Sequence, residues 1–297
     1  METLIDLHIH SNKSDGALSP KEIIDEATKN GLTTISIADH DTVEAYTDDL
    51  FKYAKEKNVQ LIPAVEISTK TDKCGIHILG YNIDIKNTEL QNKLYELRNA
   101  RHDYLFNVST KLNNLGYHIN TEELDKIESV TKAHIALDII SNVNNKELLM
   151  RTFKHIPTKG EFIETIMNEG CPGYVKKASI TPKEASLLIK QAGGKVILAH
   201  PVAYQYEDNL DEKQMLELIK DMNADGIESI YIYIDRNNNK INEITKWNNF
   251  AKDNNLIITI GSDFHNFDNI HPVIGLLNQD INLDTINLIN IITKLIK

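Results

Sequence analysis

A chain of 297 residues, 41 % hydrophobic and 25 % charged, fits a water-soluble α/β domain of barrel size with an inserted subdomain. No apolar run reaches membrane-spanning length and the first residues lack a signal-peptide layout, so no membrane contact and a cytoplasmic location are expected; two cysteines, Cys74 and Cys171, exclude a disulfide framework. The net charge of −11 argues against tight binding to long nucleic acid, although bound divalent ions can reverse the field locally and admit a small anionic substrate.

The chain opens on a strand, Met1 to Ile9, in which Asp6, His8 and His10 alternate with Ile5, Leu7 and Ile9. Alternation puts the polar trio on one face and the aliphatic trio on the other. A loop carrying Asp15-Gly16 follows, then a helix opened by Ser19-Pro20-Lys21-Glu22, with Ser19 as cap and Pro20 at the first helical position. Thr33 to Ala38 reads as a strand running into Asp39-His40-Asp41, followed by a helix through Ala54. Gln60 to Val65 reads as a third strand ending at Glu66, and Ile76 to Tyr81 as a fourth carrying His77. Strands alternating with helices predict a largely parallel sheet or barrel.

From Asn87 to about Gly170 the rhythm changes. Leu90, Leu94, Leu97, Tyr104, Leu105, Val108 and Leu112 predict a long helix, with shorter helices near 122–127, 134–140, 146–153 and 160–169. The expected organisation is a metal-binding domain of residues 1–86 and 171–297, interrupted by a helical capping subdomain of residues 87–170. The first rhythm resumes at Thr181-Pro182-Lys183-Glu184. Strands ending at His200-Pro201, at 226–233 and at Gly261-Ser262-Asp263-Phe264-His265 follow, then an apolar helix over 283–296.

In α/β folds of this kind, functional residues gather at the C-terminal edge of the strands. His8, His10, Asp15, His40, Glu66, His77, His200, Asp263 and His265 all fall at or near such ends. One histidine at a strand end is ordinarily structural; a whole set on successive strands is not. Mixed nitrogen and oxygen donors suit Mn, Fe or Zn, and there are too many for one ion, so two or three divalent ions are expected. Clustered ions can activate water and stabilise both the attacking and leaving oxygens of a phosphoryl group.

The motifs Asp6-Leu7-His8-Ile9-His10, Ala38-Asp39-His40-Asp41-Thr42, Val65-Glu66-Ile67-Ser68, His77-Ile78-Leu79-Gly80-Tyr81, Ala199-His200-Pro201 and Gly261-Ser262-Asp263-Phe264-His265 resemble those of the PHP (polymerase and histidinol phosphatase) superfamily, in order from residue 4 to about 275. The resemblance implies a distorted (β/α)7 barrel with a trinuclear centre. His8, His10, Glu66 and Asp263 would hold one ion, Asp15, His40 and His265 a second, and Glu66, His77 and His200 a third. Asp6 would support this centre from behind. The helical insertion and Ala-His-Pro resemble the branch of 3′,5′-nucleoside bisphosphate phosphatases and 5′-to-3′ oligoribonucleases. That branch implies phosphate contacts from Arg98 and Arg101, one helical turn apart, and from His134, which is also a candidate extra metal ligand. Lys132 stands where relatives often carry a different basic residue, and Ser229 to Asp235 is atypical. The implied reaction is hydrolysis of phosphate from a small nucleotide or short RNA end by metal-activated water, with His200 and Asp15 as catalytic candidates. The competing readings are a histidinol-phosphatase-like monoesterase, a metal amidohydrolase and a non-catalytic PHP module.

Overall fold

A computed structural model describes residues 4–127, 130–176, 179–235, 237–268, 270–276 and 285–296, with the side chains of Arg101 and of 285–287 excepted. The chain divides into two compact units, Met1–Tyr95 with Ile180–Lys297, and Glu96–Ser179.

The first unit opens with β1 (Ile5–Ile9), α1 (Pro20–Lys29), β2 (Thr34–Ile37), α2 (Asp48–Glu56), a short β3 (Gln60–Leu61), β4 (Ala64–Lys70) and β5 (Gly75–Tyr81). Helix α1 starts where the sequence places its signals: the Ser19 side chain accepts from the Glu22 backbone, and the Glu22 side chain accepts from the Ser19 backbone. Ile23, Ile24 and Ala27 form its buried stripe. After the long α3 (Thr88–Asn114) and the second unit, the first unit resumes with α8 (Pro182–Gln191), capped by Thr181 and Glu184 in the same way. Then come β6 (Lys195–Leu198), α9 (Pro201–Glu207), α10 (Glu212–Asp221), β7 (Gly226–Ile230), a hairpin of β8 (Tyr233–Ile234) and β9 (Lys240–Ile241), α11 (Ile244–Asp253), β10 (Ile257–Ile260) and a C-terminal α12 (Thr285–Ile296). Leu283, expected in that last helix, lies outside the described residues.

The strands form ladders of β1-β2-β3 and β10-β7-β6-β5-β4, with β8-β9 apart. Two further backbone bridges link the larger ladders, Ile9 with Phe264 and His40 with Glu66. The described residues make a mixed α/β fold. One detail refines the largely parallel expectation and one corrects the place of Glu66. Strand β5 is antiparallel to both β4 and β6, because only a tight turn over 71–74 separates it from β4, too short for a parallel crossover. Glu66 sits inside β4 and not at a strand end, because the strand expected over 60–65 stops at Leu61 and restarts at Ala64. The Tyr46 hydroxyl spans this break, donating to the Ile37 carbonyl at 2.7 Å and accepting from Ala64 N–H at 2.9 Å. The core gathers Leu7, Leu79, Tyr81, Ile197, Ile230 and Ile260 with Leu288, Ile292 and Leu295 of α12.

The second unit holds the rest of α3, α4 (Thr121–Leu124), α5 (Lys132–Ser141), α6 (Lys146–Phe153) and α7 (Lys159–Phe162), which runs into a π turn over 163–167. Leu105, Val108, Leu112, Ile135, Ile139, Leu149 and Phe162 make its own core. Asn145, fully buried, ties the connections together by bonding His118 N, His118 O and Ile139 O. The two compact units divide between Tyr95 and Glu96 and between Ser179 and Ile180. At one end, Asn87 and Gln91 bond the Gln191 and Ile85 carbonyls of the first unit. At the other, Gly173 N–H bonds Ile166 O and Tyr174 O accepts from Lys111, while Lys70 N–H bonds Ile180 O.

Candidate metal centre

The alternation of β1 turns His8 and His10 to one side, both fully buried. Their Nε2 atoms lie 3.1 Å apart. His8 Nε2 is 3.5 Å from Glu66 Oε2 and 3.3 Å from Asp263 Oδ1; His10 Nε2 is 3.3 Å and 3.1 Å from the same two oxygens. Donors about 2.1 Å from a common centre lie roughly 3.0–3.4 Å apart at octahedral to tetrahedral angles. The spacing is therefore that of a coordination shell.

A second group joins His10, Asp15, His40 and His265, and a third joins His40, Glu66 and His77. Asp15 Oδ1 lies 3.4 Å from His10 Nδ1 and 3.5 Å from His265 Nε2, and its Oδ2 lies 3.8 Å from His40 Nε2. Glu66 connects the groups. Its Oε2 faces His8, His10 and His40, the last at 3.0 Å, while its Oε1 faces His77 at 3.1 Å and His200 at 3.3 Å. The reversal of β5 matters here, since it places the start of that strand, with His77, opposite Ser68 of β4 and beside Glu66.

Several of these atoms have close neighbours but no hydrogen bond. His10 Nδ1, Asp15 Oδ1, His40 Nδ1, Glu66 Oε2, His77 Nδ1 and His200 Nδ1 are all buried and unsatisfied among the described residues. Lone pairs packed at contact distance without hydrogen-bond geometry are costly unless a cation receives them. The donor set fits divalent ions on that ground. The protonation balance agrees. Burial alone would raise the Glu66 and Asp263 carboxyls, but the surrounding histidines overcome it and hold both well below the usual range. Asp15 is likewise held down, against burial, by His40, His10 and His265. Burial pushes His40 well below the imidazole range. Burial also opposes charge on His8 and His10, yet Glu228, Asp263 and Glu66 around the first, and Asp15, Asp263 and Glu66 around the second, carry both well above it.

The supporting groups explain the local backbone. Asp39 accepts from Ser11 N–H, Ser11 Oγ and Ser14 Oγ, which shapes the loop presenting Asp15. Asp6 accepts from Ser262 N–H at 3.0 Å and Gly275 N–H at 3.0 Å, which anchors the segment carrying Asp263. Gly16 must be glycine, because a Cβ there would lie 2.1 Å from the His10 carbonyl oxygen. Asp263 and His200 have φ of 54° and 27°, left-handed values that cost energy for residues with a side chain. Sequence reading passed over Glu228, Tyr204 and Tyr231. Glu228 bonds His8, the Tyr204 hydroxyl accepts from His77 N–H at 2.8 Å, and Tyr231 donates to Asp263 Oδ2 at 3.2 Å. Glu228 carried the usable signal, an acid inside a strand otherwise all aliphatic or small.

Arg98, Arg101 and His134 belong to the second unit. Arg98 and Arg101 lie on α3, with the Arg101 side chain outside the described residues. His134 occupies the first turn of α5, its Nδ1 accepting from Thr131 N–H at 3.2 Å, and Lys132 bonds Asn168.

The PHP domain matches residues 6–176, so the chain belongs to the PHP-domain family, and it is a hydrolase acting on phosphoric ester bonds. It is 30 % identical over 265 residues to a 5′-3′ exoribonuclease of Haemophilus influenzae, covering 88 % of this chain and 89 % of that one. It is 28 % identical over 266 residues to a 3′,5′-nucleoside bisphosphate phosphatase of Chromobacterium violaceum, covering 88 % and 87 %. Among solved structures, a Bifidobacterium adolescentis protein assigned as a metal-dependent phosphoesterase shares the fold at a TM-score of 0.72, 20 % identity and coverage of 100 % and 98 %.

Proposed function

We propose that the chain uses two or three Mn, Fe or Zn ions to remove phosphate from small nucleotides: 3′,5′-nucleoside bisphosphates, nucleoside monophosphates or short oligoribonucleotide 5′ ends. The observation that carries this is the double-sided use of Glu66, whose two oxygens serve two groups of histidines. A carboxylate so placed suits adjacent ions, and adjacent ions suit in-line phosphoryl displacement. Relatives acting on nucleoside bisphosphates and on RNA support the substrate class. The bridges Ile9–Phe264 and His40–Glu66 support a distorted (β/α)7 barrel as the frame.

His8, His10, Glu66 and Asp263 would hold one ion, Asp15, His40 and His265 a second, and Glu66, His77 and His200 a third. When bound, the ions supply water activation and neutralise phosphoryl charge. Asp15 and His200 are the proposed proton-handling residues. Arg98 and Arg101 are proposed to grip substrate phosphate with forked donors. His134 is proposed to join them at the substrate phosphate, with metal ligation as the alternative. Its Nδ1 is occupied as an acceptor, which leaves the ring proton of the neutral form on Nε2.

The test is a panel of bisphosphates, monophosphates, phosphodiesters and 5′-phosphorylated short RNAs, assayed with Mn-loaded protein. Preferential turnover of bisphosphates or RNA 5′ ends is expected. Turnover of histidinol phosphate alone, or of none, would refute the reading.

A further inference from the structure

One charged group at the centre is used by neither the ligand set nor the phosphate contacts. Glu228, in β7, is 0 % exposed. Among the described residues no lysine or arginine pairs with it. Its Oε1 lies 3.0 Å from His8 Nδ1, and its Oε2 lies 3.2 Å from the same atom and 2.9 Å from the backbone nitrogen of His200. Three elements thus converge on one carboxylate, and the third is Gly261. A Cβ at Gly261 would fall 2.2 Å from Glu228 Oε1 and 2.2 Å from His8 Cβ, so only glycine leaves room.

We propose that Glu228 is a positioning residue that sets the ligating form of His8 and the backbone of His200 together, coupling two of the metal groups. This rests on the reading of the cluster as a metal centre. A carboxylate only accepts, so the His8 proton must sit on Nδ1. That leaves the Nε2 lone pair facing Glu66, His10 and Asp263. The opposite tautomer would put a proton where the ion belongs. The same carboxylate, accepting from His200 N–H, helps hold a residue at φ 27° and ψ 59°, from which the ring reaches Glu66 Oε1 at 3.3 Å. Histidine ligands are commonly fixed through their second nitrogen, and loss of such a partner weakens metal binding about 10–100-fold.

The experiment uses the full chain, stripped with chelator and titrated calorimetrically with Mn²⁺, and separately with Co²⁺ followed by its visible spectrum. In Glu228→Gln the amide NH₂ can donate to His8 Nδ1 and so stabilises the wrong tautomer. The expected result is a roughly 10–100-fold loss of Mn²⁺ affinity and an altered Co²⁺ spectrum. Glu228→Asp, which keeps the charge at shorter reach, should fall between Gln and wild type, and it carries the test alone if the Gln variant does not fold. A core variant of matched melting temperature, such as Ile24→Val, should bind both ions as wild type does. If both Glu228 variants keep wild-type affinity and spectrum, Glu228 has no positioning role and the metal reading survives. If wild type itself binds no Mn²⁺, both fail.

Discussion

Replacing Gly261 with alanine tests the geometry of the centre without removing any donor. The new methyl carbon would sit 2.2 Å from both Glu228 Oε1 and His8 Cβ, and 3.2 Å from His8 N, where an ordinary contact begins near 3.4 Å. Something must move by about 1 Å. Both neighbours are fully buried, and Glu228 is held by His8 and by the His200 backbone, so neither can swing into solvent. Overpacking of this kind costs about 1–3 kcal/mol. In a unit of this size that lowers Tm by about 2–12 °C. A displacement of His8 by even part of that distance also spoils the 3.1–3.5 Å spacing of its ligand group, so Mn²⁺ affinity should fall at least tenfold. The control is Gly75→Ala, where the nearest atom, the Thr69 carbonyl oxygen, is 3.8 Å away. That change should stay within about 0.5 kcal/mol. Calorimetric melting of the stripped proteins and Mn²⁺ titration give both readouts. A Gly261→Ala protein that melts and binds like Gly75→Ala would refute the packing argument.

Glu66→Gln should lower kcat/KM by roughly 10²–10⁴-fold, since stripping the charge from a buried pair costs about 3–5 kcal/mol; steady-state kinetics at saturating Mn²⁺ check it, and a loss under tenfold would contradict the shared role of that carboxylate. In the stripped protein the surrounding carboxylates raise His8 and His10, so an incoming ion competes with protons there. Mn²⁺ affinity should therefore rise with pH across neutrality, and titration in buffers of different ionisation enthalpy should show proton release at pH 7; release of none would be inconsistent with these shifts. Without metal the sign for stability is opposite for those two histidines: their contribution is complete below the unfolded value near 6.5 and is lost as pH climbs through the raised folded values. Arg98→Ala and Arg101→Ala should each cost about 1.5–3 kcal/mol, or roughly 10–100-fold, in kcat/KM, while Mn²⁺ affinity stays unchanged; unaltered kinetics would remove them from the phosphate contacts. Tyr46→Phe should cost about 1–3 kcal/mol in a melting experiment, because the Ile37 and Ala64 N–H groups it serves are buried.

Much of the candidate centre is legible in residue order because its candidate donors sit in or beyond recognisable strands. The His8–His10 alternation needs only the period of a β-strand, and the starts of α1 and α8 need only a capping residue, a proline and a glutamate three positions after the cap. Direction was not legible. A strand pattern is the same read parallel or antiparallel, so the reversal of β5 that delivers His77 could be settled only by its pairing with β4 and β6. The sequence reads Gln60 to Val65 as one strand with Glu66 at its end, whereas the strand breaks at Ile62-Pro63 and the Tyr46 hydroxyl fills the gap. Glu228 was missed for a different reason: its role depends on His8, His200 and Gly261, which lie far from it in sequence, and only the fold shows that the four meet.

The bridge between Ile9 and Phe264 joins the first strand to the segment after the last. On a ribosome adding about 5–20 residues per second, roughly 13–50 s separate the emergence of His10 from that of His265. Before residues 200–265 are made, the candidate donors His8, His10, Asp15, His40, Glu66 and His77 stand without His200, Asp263 and His265, and His8 lacks its Glu228 partner. The full candidate donor set exists only once His265 has been made. Selection of an ion by the proposed centre is therefore a task for the assembled fold, and a shorter nascent chain offers only part of the same donor set.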